Sequence, residues 1–97
     1  ALELPGFYDV ASMRSFLEKM SSFAVRQKGF FVDSDGVFQH VEAVGDRAVI
    51  DPFPCTAWKV PRRHIVLIGM NTCPFDRDIA HQWRRCFPRH ELHLMEG

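Results

Sequence analysis

Apolar residues along this chain change period several times, and each change marks a new element. Val10, Met13, Phe16, Leu17 and Met20 recur at three- and four-residue spacing, with Arg14, Glu18 and Lys19 between them. That period puts the apolar side chains on one stripe and predicts an amphipathic helix over Val10 to Ser22. Asp9 is its candidate N-cap, because a carboxylate there accepts from the free N–H groups of the first turn. Asp76 is a candidate cap for a second helix, in which Ile79, Trp83, Cys86 and Phe87 share a stripe and Pro88 ends the run.

Strand patterns fill the interval between the helices. Val25 to Val32 is rich in aromatic and β-branched residues and ends at the turn signal Asp33-Ser34-Asp35-Gly36. Val37 to Val44 stops at Gly45-Asp46, which suits a two-residue hairpin because glycine accepts positive φ. Arg47 to Ile50 is the return strand, ended by Pro52 and Pro54, which lack backbone donors. Cys55 to Arg63 reads as a loop pinned by Trp58. In His64 to Gly69 the run Ile65-Val66-Leu67-Ile68 leaves no polar side, the pattern of a strand buried on both faces. Leu2 to Leu4 alternates as a short edge strand before Pro5-Gly6, and Glu91 to Met95 alternates as an optional last strand. The order β-α-β-β-β-β-α, with a possible closing strand, predicts an α+β fold: an antiparallel sheet with two helices packed on one face.

Composition narrows the function classes. A chain of 97 residues makes one domain, residues 1–97, and 46% hydrophobic residues with nine Phe give it a core without staples. Twelve basic residues balance twelve acidic ones, whereas nucleic-acid-binding domains usually carry a basic excess. Three cysteines, Cys55, Cys73 and Cys86, fit a reducing cytoplasm better than a disulfide framework. The longest apolar run, around Ile65 to Ile68, is far shorter than a membrane span.

No local signature for nucleophilic or metal-assisted catalysis is present, so the chain reads as non-catalytic. Closed zinc sites usually draw on close ligand pairs, and the cysteines are widely spaced. Cys86 belongs to the apolar stripe of the second helix. Cys73, before Pro74, is the most ligand-like of the three, and His90 and His93 can share an ion if they sit on a turn. These residues would serve a stand-alone metal-binding domain. Arg26 and Lys28 are separated by one residue, which places them on one strand face with Phe30 and Val32 unless a bulge at Gly29 breaks the alternation. Such a face is either solvated or a docking surface, where arginine offers bidentate bonds to carboxylates. With Phe30 it would also suit a small nucleic-acid-binding module. Arg77, His81, Arg84 and Arg85 lie opposite the apolar stripe of the second helix.

Several of these positions together resemble a known family. Val25-Arg26-Gln27-Lys28-Gly29-Phe30-Phe31 is similar to the Arg-x-Lys-Gly-hydrophobic strand of the CobW C-terminal domain. Arg62-Arg63-His64-Ile65-Val66-Leu67-Ile68-Gly69 resembles that family's basic residue followed by an apolar strand ending in Ile-Gly. The helix ending Cys86-Phe87 resembles its final helix. The resemblance implies a fragment of a longer GTP-dependent metal chaperone, with an N-terminal P-loop GTPase domain as partner in cis. In that setting GTP, magnesium and zinc or cobalt belong to the whole protein, and the metal passes to a client metalloprotein. Arg26, Lys28, Arg62 and Arg63 are then the interaction residues. The sequence G-x-x-x-x-G-K-[ST] does not occur in this chain, so no phosphate-cradling loop of that type is present.

Overall fold

The computed structural model describes residues 1–55, 58, 60–69 and 75–95. They form an α+β fold, a single antiparallel sheet backed by two helices, in the element order the sequence predicts. The strands are β1 (Leu2–Glu3), β2 (Phe7–Tyr8), β3 (Ala24–Asp33), β4 (Phe38–Val44), β5 (Arg47–Pro52), β6 (His64–Gly69) and β7 (His93–Leu94). The helices are α1 (Val10–Met20) and α2 (Phe75–Cys86). In the sheet the strands run β5-β4-β3-β6-β1-β7, all antiparallel, and the two-residue β2 adds a parallel bridge to the end of β3.

Local chemistry sets most of the boundaries. Asp9 caps α1 as expected, its carboxylate accepting from Ser12 N–H at 2.9 Å. The helix stops at Met20, short of Ser22, because Ser21 turns back on Glu18: its N–H and its hydroxyl both donate to that carbonyl. Asp76 lies inside the first turn of α2, which begins at Phe75. There its charge favours the positive helix end without being the cap. β5 runs through Pro52 because it is an edge strand, where a missing donor leaves no ladder bond unmade. β1 is not an edge strand, since β7 pairs along its outer side. The loop before β6 is not pinned by Trp58, which stands 94% exposed.

One core fills the space between sheet and helices. Met13, Phe16, Leu17 and Met20 of α1 meet Ile79, Trp83 and Phe87 near α2 and the inward residues Leu2, Phe31, Val41, Ile50 and Ile65 of the sheet. Tyr8, Phe16, Trp83 and Phe87 pack as an aromatic knot, with Phe16 edge-on to Trp83 at 5.3 Å and Tyr8 edge-on to Trp83 at 5.7 Å. Edge-to-face pairs of this kind add about 0.5–1.5 kcal/mol beyond the area they bury. Buried Gln27 stitches sheet to helix: its amide donates to the Leu17 carbonyl at 3.0 Å, one of the last-turn oxygens that α1 leaves unpaired. Among the described residues no helix is long and apolar enough to cross a membrane.

β6 departs from its expected burial. Ile65 is buried, but Val66 is half-buried and Ile68 is 48% exposed, so the strand is covered on one face only. The reason is the placement of both helices on the same side, so that among the described residues no second layer covers the other face of the sheet.

Central strand β3 runs against β6 with very little room. A Cβ added at Gly29 would lie 1.9 Å from the His64 carbonyl oxygen and 2.8 Å from Ile65 Cα. Both neighbours are backbone and cannot swing away. Gly29→Ala is expected to destabilise the domain by about 1–3 kcal/mol or more, the usual cost of forcing extra volume into a packed interior. Urea unfolding measures it, and a midpoint equal to that of the parent chain would contradict the close approach.

Candidate functional site

Strand alternation, read with the pairing register, assigns each residue to one side of the sheet. On β3 the inward residues are Gln27, Gly29 and Phe31, and the outward ones Arg26, Lys28 and Phe30. The irregularity in this strand lies between Ala24 and Arg26 rather than at Gly29, so the alternation survives through the Arg-x-Lys-Gly stretch. Arg26 stands between Val44 of β4 and Ile68 of β6, and Lys28 between Glu42 and Val66. Phe30 lies opposite His40, which in turn faces Asp51 of β5.

The uncovered face is therefore a mixed surface. Its apolar part is Val44, Val49 and Ile68, exposed by 56%, 53% and 48%, with Val66, Phe30 and Phe53 partly buried beside them. Phe30 and Phe53 meet edge-on at 4.8 Å, and the His40 ring lies 5.1 Å from that of Phe30. The Arg26 guanidinium donates to Glu42 at 3.0 Å, with both side chains nearly half exposed. Such a pair contributes at most about 1 kcal/mol to folding. Lys28 is exposed and forms no ion pair among the described residues. It lines a shallow depression with Phe30, His40, His64 and Val66. Nothing in this arrangement has the form of a nucleophile held by a base. It combines exposed apolar side chains with the cations of Arg26 and Lys28.

The other predicted residues lie elsewhere. Arg62 pairs with Glu3, and Arg63 donates to the Gly6 carbonyl while its guanidinium sits 5.4 Å from the centre of the Phe7 ring. With Leu4 N–H bonded to the Arg63 carbonyl at 2.9 Å, these two arginines clamp the N-terminal strand onto β6. His90 lies in the turn after α2, its Nε2 donating to the Phe7 carbonyl at 3.0 Å and its ring 4.9 Å from Tyr8. His93 lies in β7 opposite Glu3. Nε2 of His90 is thus engaged, which leaves Nδ1 as the ring nitrogen it could offer a metal. Among the described residues no three His, Cys, Asp or Glu side chains converge as metal ligands. Cys73 falls outside the described residues. Cys86 is half-buried, its Sγ 4.0 Å from the Ser15 hydroxyl.

Sequence reasoning found Arg26, Lys28 and Phe30 on this face but also put Val32 there, which is buried, and it missed Val44, Val49 and Ile68. The signal was available in β4, where Gln39, Val41 and Ala43 alternate with His40, Glu42 and Val44; only the second set faces out.

The turn at Asp33 sets the register that assembles this face. One carboxylate oxygen accepts from the backbone N–H groups of Asp35 and Val37, both at 2.9 Å, and the other from the Gln39 amide at 2.8 Å. The bond from Val37 N–H does most to hold this carboxyl below the usual carboxylate range. A carboxylate with a depressed folded value stabilises the fold fully above its unfolded pKa of about 3.9, and the contribution fades as pH falls through the folded value. Asp33→Asn is expected to cost about 1–3 kcal/mol at neutral pH, because three charge-assisted bonds to the carboxylate become bonds to a neutral amide. The variant should also lose part of the acid-induced drop in stability below about pH 4. Unfolding curves from neutral pH to pH 2 measure both, and parallel curves for parent and variant would contradict the assignment.

Comparison with models of protein families, with curated proteins and with solved structures finds no match for this chain.

Proposed function

We propose that this chain is a non-catalytic docking domain, and that its open sheet face receives the GTPase half of a CobW-type metal chaperone. The observation that carries the reading is the position of Arg26 and Lys28. Both stand on a sheet face that, among the described residues, has no helical layer, beside apolar residues that remain in water. Exposed apolar side chains interspersed with cations are common at protein interfaces. The resemblance in the Arg-x-Lys-Gly strand and in the basic residues before β6 supplies the occupant. In this reading the partner places a carboxylate against Lys28 and apolar side chains against Val44, Val49 and Ile68. Nucleotide, zinc or cobalt and the handover to a client metalloprotein belong to the rest of a cytoplasmic protein, and this domain contributes the surface that holds the parts together.

The double substitution Arg26→Ala/Lys28→Ala tests the reading. Both side chains are exposed, so thermal stability of the isolated chain should change by less than about 1 kcal/mol. Binding to a separately prepared GTPase half should weaken by about 2–5 kcal/mol, the cost of truncating one side of a desolvated charge pair. Titration calorimetry reads the difference. Undiminished binding would return these cations to the role of a solvated face.

A further inference from the structure

The outer side of α2 carries a second surface, unrelated to the sheet face. Ile79, Trp83 and nearby Phe87 anchor this helix in the core, which turns Arg77, His81, Arg84 and Arg85 away from the sheet. All four are exposed. At about 100° per residue they fall within one arc of roughly 100°, spread over about 12 Å of helix. Arg89, also exposed, follows just beyond Pro88. Asp76 and Asp78 are the only acidic residues on the helix and sit at its start. Among the described residues none of these arginines takes part in an ion pair.

Stabilisation of the helix itself accounts for part of this pattern. Arg84 and Arg85 lie in the last turn, where cations favour the negative helix end. Arg77 lies in the first turn, where a cation opposes the dipole, so helix stability leaves it unexplained. We infer that the Arg77–His81–Arg84–Arg85 stripe binds an acidic helical segment of a partner protein, with carboxylates repeating at three- and four-residue spacing.

Chemistry separates this partner from other anions. Nucleic acid would gain from aromatic rings beside the arginines, but Trp83 and Phe87 are only 2% and 3% exposed and offer no stacking face. The chain's formal charge of +0 also gives no extended field for a phosphate backbone. A lipid surface would need apolar anchors next to the cations. From Asp76 to His90 no large apolar residue is exposed. What remains is a compact stripe dominated by arginine, whose planar fork pairs with carboxylates two bonds at a time. Because it faces away from the sheet, it can be occupied while the opposite face is covered, so one domain can bridge two partners.

Fluorescence anisotropy with a labelled helical peptide, bearing glutamates at three- and four-residue spacing, tests the inference on the full chain. The peptide should bind, and binding should weaken as salt rises. Arg77→Glu/Arg84→Glu should reduce affinity by roughly tenfold or more, while leaving the melting temperature unchanged because both side chains are exposed. A peptide with lysines in place of the glutamates should bind that double variant better than the parent chain. Lys28→Glu, on the opposite face, should leave peptide binding intact, which keeps the fate of this surface separate from that of the sheet face. Absence of peptide binding, or equal binding by parent and double variant, would overturn the inference. So would tighter binding of a single-stranded RNA oligonucleotide or of phosphatidylserine vesicles through the same arginines.

Discussion

Where β3 crosses β6, the two backbones approach so closely that only a hydrogen fits on the inner side of Gly29. Much of the rest depends on that contact. It is part of the register in which Gly29 faces Ile65 and Lys28 faces Val66, and a slip of one residue would turn every side chain of β3 over. In the observed register Gln27 points inward to the last turn of α1 and Phe31 enters the core, while Arg26, Lys28 and Phe30 point outward. The same few residues thus tie the sheet to its helices and define its free face. The Arg-x-Lys-Gly stretch is, in structural terms, two outward cations, a buried amide between them and the glycine that lets the neighbouring strand in.

The two sides of the sheet differ because both helices lie on one of them. The inner side receives Met13, Phe16, Leu17, Ile79 and Trp83, and its own apolar residues are sealed. The outer side has comparable β-branched residues in Val44, Val49 and Ile68, yet each is about half exposed. Each buried square ångström of apolar surface is worth about 25 cal/mol, so covering these side chains would release a driving force of the order of a few kcal/mol. In the proposed complex, a partner carboxylate against Lys28 would add orientation as well as affinity.

Much of the fold was legible in the sequence because period and punctuation agree. The stripe from Val10 to Met20, the Asp9 cap, the Gly45-Asp46 hairpin and the range of β6 all follow from side-chain spacing and turn chemistry. Burial of β6 did not follow: four consecutive apolar residues look alike whether one face or two are covered, and only the position of the helices decides. β2 left no pattern because two residues cannot show a period. The placement of β1 inside the sheet depends on the distant residues of β7. The cations of the site were visible as a spacing on one strand, but its apolar partners come from three other strands that meet it only after folding. Arg62 and Arg63 show a further limit, since their contacts with Glu3, Gly6 and Phe7 come from residues far away in the sequence.

The outer sheet face is open among the described residues, and the proposed docking would cover it. Lysine reactivity reads it directly, because Lys28 lies on that face and Lys19 lies at the end of α1, away from it. Reductive methylation followed by mass spectrometry, with and without the proposed GTPase partner, should show Lys28 modified in the free chain and protected in the complex, with Lys19 reacting equally in both. Equal modification of Lys28 in the two samples, under conditions where the complex forms, would contradict the account.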